Sequence, residues 1–303
     1  MLAHTIFIFM EEEKMKKLFK VVLAAVMMLA MVGCSSSNPT TATEPVSGVE
    51  DGVLTIAMEC AYAPYNWTQT DDSNGAVKIK DSDDYANGYD VMIAKIICEA
   101  NGWDLEVVRS DWDSLVPSVQ SGTIDAVIAG QSMTASRSEQ VDFAGPYYYA
   151  TFAVLVKNDS PLVNATSISD FAGYSGTAQI ATVWYDSCLP QMEGADIKPA
   201  TETAPAMLMA LESNTVDFVV TDLPTATGAL VAYKDFALLD FTGTDGDFQF
   251  SEEERAGEVN IGVSMKKGNT VLKEAIDSVL SEMTVEDMNE LMAAAIEIQP
   301  IED

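Results

Sequence analysis

Histidine is all but absent from this sequence, which holds one in 303 residues, His4. The chain therefore lacks the commonest general base and the commonest metal ligand near neutral pH. Cysteine is scarce as well, with four in all. Cys34, Cys60, Cys98 and Cys188 stand too far apart for a zinc cluster or a disulfide framework, although the spacing leaves room for one bridge. No regular acidic loop marks a calcium site, and no Gly-rich loop marks a phosphate site. Positive charge is the third shortage: 16 Lys and Arg face 47 Asp and Glu, a formal net charge of −31. Such a surface repels phosphate backbones and anionic lipid, which excludes nucleic acid as a partner. It reads as a solvated acidic coat that can also steer cationic ligands. Long apolar runs are missing too. The longest near the start, Val21 to Val32, is twelve residues, too short to span a membrane as a helix.

That run has another use. Met15-Lys16-Lys17-Leu18-Phe19-Lys20 gives it a basic head, and Met31-Val32-Gly33-Cys34 follows it. Together they form a signal-peptide pattern, so residues 1–33 are expected to be a leader. The four-residue box resembles the site at which bacterial lipoproteins are cut and lipidated on cysteine, here Cys34. A lipid there anchors without spanning. Residues 1–14 serve no targeting logic and are expected to be an overcalled start. Residues 34–52 are rich in Ser, Thr, Pro and Ala and are expected to be a flexible tether.

Beyond the tether the composition supports real cores, with apolar residues at 48%, which excludes a disordered chain. Val53 to Met58 reads as a strand. Thr68 to Tyr89 is polar and rich in Gly, Asp and Asn, and reads as an exposed excursion. Asp90 to Ala100 reads as a helix with Asp90 as its N-cap and Asn101-Gly102 closing it. Leu105 to Val108 reads as a strand, Trp112 to Gln120 as a short helix, and Thr123 to Ala129 as another strand. Alternating strands and helices imply parallel or mixed sheets covered on both faces. Ser121-Gly122-Thr123-Ile124-Asp125-Ala126-Val127-Ile128 is echoed by Ser213-Asn214-Thr215-Val216-Asp217-Phe218-Val219-Val220. Each follows an amphipathic helix, the second over Ala204 to Glu212. The echo favours two lobes of similar design. The chain is expected to cross between them near Tyr149 to Phe152 and to return near Asn260 to Val263. Helices over Thr270 to Ile298 would then carry Val271, Leu272, Ala275, Ile276, Val279 and Leu280 on one apolar face.

From Leu54 onward, several blocks in order resemble the extracellular solute-binding proteins of the polar amino acid importer family. They are Leu54 to Tyr65, Gly88-Tyr89-Asp90-Val91, Asp111 to Pro117, and above all Asp125 to Thr134 continuing through Arg137 to Val141-Asp142-Phe143. The resemblance implies an α/β, two-lobed periplasmic-binding-protein-like (type II) fold with a hinge and a central mixed sheet in each lobe. Lobe 1 would comprise 53–150 plus 262–303, and lobe 2 would comprise 151–261.

The resemblance also implies a ligand site. Arg137 would bind an α-carboxylate through its guanidinium fork, a planar match for two oxygens. Ser132 and backbone groups at Ala129 and Gly130 would complete that shell. Thr182 matches a carboxylate-binding position, but the turn Gln179-Ile180-Ala181-Thr182-Val183 departs from the common pattern, with Ile180 where glycine is frequent. Gln179 or Thr182 could therefore fill the role. Asp222 would take the ammonium group, with a helix cap as its compatible alternative. Tyr62 and Trp112 would flank the ligand or else belong to the core, and Trp67 and Trp184 are weaker pocket candidates. Tyr65 is assigned to the core. Glu59 would meet the ligand side chain and suits a cationic group or an amide.

The implied function is extracellular capture of a small amino acid, cationic or neutral polar, and its delivery to an ABC permease with a cytoplasmic ATPase. The protein would be a monomer with no cofactor and no metal. It would sit on the outer face of the cytoplasmic membrane, held through Cys34. Two other readings remain: a ligand-sensing lipoprotein that reports to a membrane receptor, and a secreted dehydratase-like enzyme on the same fold. The enzyme would need an acid or base aimed at a reacting bond; Glu59 could serve, but no nucleophile–base pair is evident.

Overall fold

The protein is described by a computed structural model covering residue 49 and residues 51–300. The expected leader, the lipidation residue Cys34 and most of the tether lie outside the described residues. Two five-stranded mixed sheets form the two lobes. In the first, β1 (Val53–Met58) pairs in parallel with β6 (Asp104–Arg109) and with β7 (Ala126–Val127). β14 (Ile261–Lys266) then runs antiparallel between β7 and β8 (Val141–Tyr148). In the second, β10 (Ser175–Thr177) pairs in parallel with β11 (Asp196–Ile197) and β12 (Phe218–Asp222). β9 (Phe152–Lys157) runs antiparallel between β12 and β13 (Phe236–Leu239). The two orders, β6-β1-β7-β14-β8 and β11-β10-β12-β9-β13, have the same pattern of directions. The chain leaves the first sheet after Tyr148, enters the second at Phe152, and rejoins the first at Ile261.

The sequence echo does the same work in both lobes. Thr55 N–H donates to the Asp125 carboxylate at 2.8 Å while Asp125 N–H donates to Thr55 O at 2.9 Å. Ser175 N–H donates to the Asp217 carboxylate at 2.7 Å while Asp217 N–H donates to Ser175 O at 2.8 Å. Each aspartate thus locks a central parallel strand to its neighbour at the point of entry. Gly122 and Asn214 both take left-handed backbone, φ +79 and +58, and turn the preceding helix into the sheet. The strand expected over Thr123 to Ala129 shrinks to Ala126–Val127. Asp125 takes part in that lock just before it, and the chain bends sharply at Gly130, φ +63.

Helix α1 (Tyr89–Asn101) covers the first sheet and ends at left-handed Gly102. Its N-cap is Gly88, not Asp90 as expected. A Cβ at residue 88 would lie 2.4 Å from the Tyr65 carbonyl oxygen, so only glycine fits this close approach. Asp90 falls inside the first turn and turns into the core, fully buried. A short 3-10 turn at Trp112–Ser114 precedes α2 (Leu115–Ser121). Thr134 caps the single turn α3 (Ala135–Ser138), accepting from Arg137 N–H at 3.3 Å. In the second lobe α4 (Ala204–Glu212) has the expected bounds, and α5 (Leu223–Ala232) starts directly from β12 with Asp222 as its cap.

Helices α6 (Thr270–Leu280) and α7 (Val285–Ile298) return to the first lobe. Leu272, Ile276, Val279 and Leu280 are buried, whereas Val271, expected on that face, is 49% exposed. It sits one residue off the i, i+4 stripe that faces the core. The expected excursion at 68–89 is also corrected. Its polar residues build a small antiparallel sheet of β2 (Ala61–Tyr62), β3 (Asn66–Gln69), β5 (Tyr85–Asn87) and β4 (Val77–Lys78). Side-chain amides stabilise it: Asn87 Nδ2 donates to Gln69 Oε1 at 3.1 Å, and Gln69 Nε2 to the Ser73 carbonyl at 3.0 Å. Cys60, Cys98 and Cys188 are free and buried.

Candidate ligand-binding site

In open α/β sheets the crevice lies beyond the carboxyl ends of the parallel strands. Five such ends converge here. β1 leads into Glu59, β6 into Trp112, β7 into the turn 129–132, β10 into the turn 179–182, and β12 ends on Asp222. Tyr62, Trp112, Gly130, Ser132, Arg137, Gln179, Thr182 and Trp184 line a narrow pocket between the lobes. Side chains fill it almost completely, so a ligand enters only by displacing the contacts they make with one another. A larger groove at the edge of the first sheet, lined by Lys78, Lys80, Asp83 and Glu106 among others, is open to solvent. Its charges are already matched by the Lys80–Glu106 pair at 2.7 Å.

Arg137 spans the cleft. Nη1 donates to the Ser132 carbonyl at 2.8 Å in the first lobe, and Nη2 to the Ala181 carbonyl at 2.6 Å in the second. Its guanidinium lies 5.3 Å from the Trp112 ring centre, a cation–π contact. Among the described residues it forms no ion pair. Burial lowers its pKa to about 10, opposed by Asp186 and Glu258, so it remains a cation at neutral pH. The residue in left-handed backbone in the facing turn is Ala181, φ +55, rather than Ile180. This conformation aims the Ala181 carbonyl back at Arg137.

Asp222 is fully buried and caps α5, accepting from Thr225 N–H at 2.8 Å and Thr225 Oγ1 at 2.9 Å. Its cross-cleft partner is the Tyr62 hydroxyl, which donates to it at 2.5 Å. Burial raises the Asp222 pKa, and these donors oppose the rise. Burial, then the neighbouring Asp222 charge, push the Tyr62 phenol well above its ordinary range, so the hydroxyl keeps its proton. Tyr62 also stacks on Tyr65, ring centres 5.1 Å apart.

Glu59 and Gln179 form the third crossing. Gln179 Nε2 donates to both Glu59 oxygens, at 3.4 and 3.3 Å, and to the Glu202 carbonyl at 3.3 Å. Burial raises Glu59 to about 7; Gln179 opposes the rise, while Asp111 and Asp113 add to it. Thr182 plays a different part, since its hydroxyl donates to the Gln179 carbonyl at 2.7 Å and accepts from Tyr185 N–H at 3.3 Å. Its hydroxyl shapes the turn, and Gln179 is the residue of the pair that meets a cross-cleft partner. Trp184 lines the cavity and packs edge-on against Phe152. Trp67 does not line it: the ring is buried in β3 and Nε1 donates to Gln69. Of the backbone groups expected from Ala129 and Gly130, the Gly130 N–H is already committed to the Tyr147 hydroxyl at 2.9 Å. The same amide also acts on the Asp90 carboxylate, so it is engaged behind the cleft.

The arrangement holds a buried acid on each wall, Glu59 and Asp222, and an arginine fork beside the Trp112 ring. It can grip a zwitterion at both ends. Among the described residues no group of three or more His, Cys, Asp or Glu could hold a metal ion. Tyr147, which anchors the turn 129–132, is a residue that sequence reasoning passed over. Its signal was the Gly88-Tyr89-Asp90-Val91 block, whose aspartate is its partner at 2.6 Å.

Residues 54–294 match the bacterial extracellular solute-binding proteins, family 3. The chain is 29% identical over 171 residues to the arginine-binding extracellular protein ArtP of Bacillus subtilis, covering 56% of this chain and 58% of that one. That alignment spans less than two thirds of the relative's length. A probable histidine-binding protein of Campylobacter jejuni is 28% identical over 240 residues, covering 78% and 85%. Among solved structures, an amino acid ABC transporter substrate-binding protein from Streptococcus pneumoniae bound to L-arginine superposes with a TM-score of 0.66 at 27% identity. It covers 82% of this chain and 95% of that one.

Proposed function

We propose, from the premise that the chain belongs to the bacterial extracellular solute-binding proteins of family 3, that it captures an amino acid with a cationic side chain and hands it to an ABC permease. It is a binding protein and not an enzyme, like the relatives it matches. The carrying observation is that two buried carboxylates each accept a hydrogen bond across the cleft from a pocket-lining residue, Glu59 from Gln179 and Asp222 from Tyr62, while Arg137 is, among the described residues, the one cation lining that pocket. An α-carboxylate uses the Arg137 fork and an α-ammonium uses Asp222. That leaves Glu59 for a second positive group, and buried charges need such partners.

In this reading the ligand takes the place of contacts the site residues now make with each other. Arg137 turns from the Ser132 and Ala181 carbonyls to the ligand carboxylate, with Ser132 beside it. Asp222 exchanges the Tyr62 hydroxyl for the ammonium, and Tyr62 and Trp112 flank the aliphatic stem. Gln179 steadies Glu59. Closure of lobe 1 (53–150 with 262–303) on lobe 2 (151–261) removes water, strengthens each polar contact and presents a single shape to the permease. Cleavage before Cys34 and lipidation on it would hold the monomer at the outer face of the membrane, with the tether giving reach. No cofactor enters this cycle.

Calorimetric titration of the ligand-stripped protein with the twenty amino acids and ornithine tests the reading. One-to-one binding of arginine, lysine or ornithine is expected. Preference for a neutral amino acid would keep capture but remove Glu59 as a charge partner, and binding of none would remove the Arg137–Asp222 clamp.

A further inference from the structure

Behind the cleft wall lies a buried acid that the ligand does not reach. Asp90 is fully buried, and among the described residues it pairs with no cation. Its Oδ1 accepts from the Tyr147 hydroxyl at 2.6 Å and its Oδ2 from Asn66 Nδ2 at 2.7 Å. The Tyr147 oxygen in turn accepts from Gly130 N–H at 2.9 Å. A hydrogen-bond chain of fixed direction results, Gly130 N–H to Tyr147 oxygen and Tyr147 hydroxyl to Asp90, with the Gly130 N–H also acting on Asp90 itself.

We propose that Asp90 is a positioning residue for ligand capture, holding the cleft turn Ala129–Ser132 in place through the Tyr147 hydroxyl. The proposal rests on the reading of the cleft as the amino-acid site. An ionised carboxylate only accepts, so residue 90 obliges Tyr147 to donate inward and leaves its lone pairs to Gly130. A residue with no acceptor at position 90 would leave the Tyr147 proton unpaired and free the hydroxyl to turn away from Gly130. The 2.6 Å separation is that of a charge-assisted O–H···O⁻ bond. Burying an unpaired carboxylate is costly for a merely structural residue; the directional hold on Gly130 is what the acid adds.

The far end of the hydrogen-bond chain touches ligand-facing groups. Gly130 is in left-handed backbone, φ +63, and a Cβ there would come within 2.8 Å of Tyr62 Cε1. Tyr62 is the ring whose hydroxyl meets Asp222 across the cleft. Ser132, two residues on, supplies the carbonyl that orients Arg137. A shift of this turn therefore misplaces the carboxylate-binding fork first.

Two full-length variants test this, Asp90→Asn and Tyr147→Phe. Asp90→Asn removes the charge but keeps an acceptor for the Tyr147 hydroxyl, and its new amide can donate to Asn66 Oδ1, which is buried without a partner. Tyr147→Phe removes the hydrogen-bond chain without adding a donor. The first readout is the Gly130 backbone amide by ¹⁵N NMR, with L-arginine and then agmatine titrated calorimetrically as the second. We expect the Gly130 amide to move and to exchange faster in Tyr147→Phe, and to do so by a smaller step in Asp90→Asn, which weakens the bond to Tyr147 by removing its charge. L-Arginine affinity should fall about tenfold, the scale of one orphaned buried donor, while agmatine, which has no carboxylate, changes less than twofold. An unmoved Gly130 amide, or equal losses for both ligands, would overturn the proposal and make Asp90 an ordinary core residue. Wild-type protein that ignores L-arginine would refute the cationic reading instead, and the Gly130 amide would then decide the hydrogen-bond chain alone.

Discussion

Replacing Glu59 by Gln should weaken the ligand and strengthen the fold, and both effects depend on pH. Burial lifts the Glu59 pKa from 4.5 to about 7 in the folded protein. The unfolded chain thus releases this proton first as pH rises, and the folded state loses stability between about pH 4.5 and 7. At about 1.4 kcal/mol for each pH unit crossed, the loss is about 3 kcal/mol above pH 7.5. Glu59→Gln keeps an acceptor for Gln179 Nε2 and carries no charge, so at pH 8 it should be more stable by up to this amount. For a chain of this size that is roughly 5–10 °C in Tm. Ligand affinity moves the other way. The ionised share of Glu59 rises from about a tenth at pH 6 to about nine tenths at pH 8, so wild-type affinity for L-arginine should rise roughly tenfold. In Glu59→Gln most of that rise disappears, and affinity at pH 8 falls about 10- to 100-fold with the lost charged hydrogen bond. Scanning calorimetry without ligand and titration with L-arginine, both at pH 6 and pH 8, read the two effects. A variant that melts no higher at pH 8, and binds L-arginine with the wild-type pH profile, would refute the reasoning.

Arg137→Lys removes the planar fork but keeps the charge, and L-arginine binding should weaken about 30- to 100-fold by titration, with Tm nearly unchanged. Tyr62→Phe strips Asp222 of its 2.5 Å donor; urea melts of the ligand-free protein should show a loss of about 1.5–3 kcal/mol. Gly176→Ala in β10 sets a Cβ 2.1 Å from the Phe218 ring, and the same melts should show a loss of about 3 kcal/mol or more.

Where local chemistry decides the structure, the sequence was readable. The echoed Asp125 and Asp217 lie in segments whose spacing alone placed a helix, a left-handed terminus and a strand, and the lobes use them identically. Arg137, Ser132, Tyr62, Trp112 and Gln179 were named through the family resemblance, and they line one pocket. What was illegible depends on partners far away in sequence. Asp90 resembled an N-cap because it precedes an apolar helix, but Gly88 takes that place since the Tyr65 carbonyl crowds it, and Tyr147, 57 positions away, draws Asp90 inward. The polar segment 68–89 resembled a loop because its short strands are polar and leave no hydrophobic period, while side-chain amides add to their backbone pairing. Thr182 and Gln179 could not be ranked until the turn's backbone showed which of them faces Glu59.

The most direct measurement is a crystal structure of the protein grown with L-arginine. The account predicts the ligand carboxylate on the Arg137 fork, its ammonium on Asp222 and its guanidinium against Glu59. Arg137 still bound to the Ser132 and Ala181 carbonyls, with L-arginine elsewhere or absent, would contradict it.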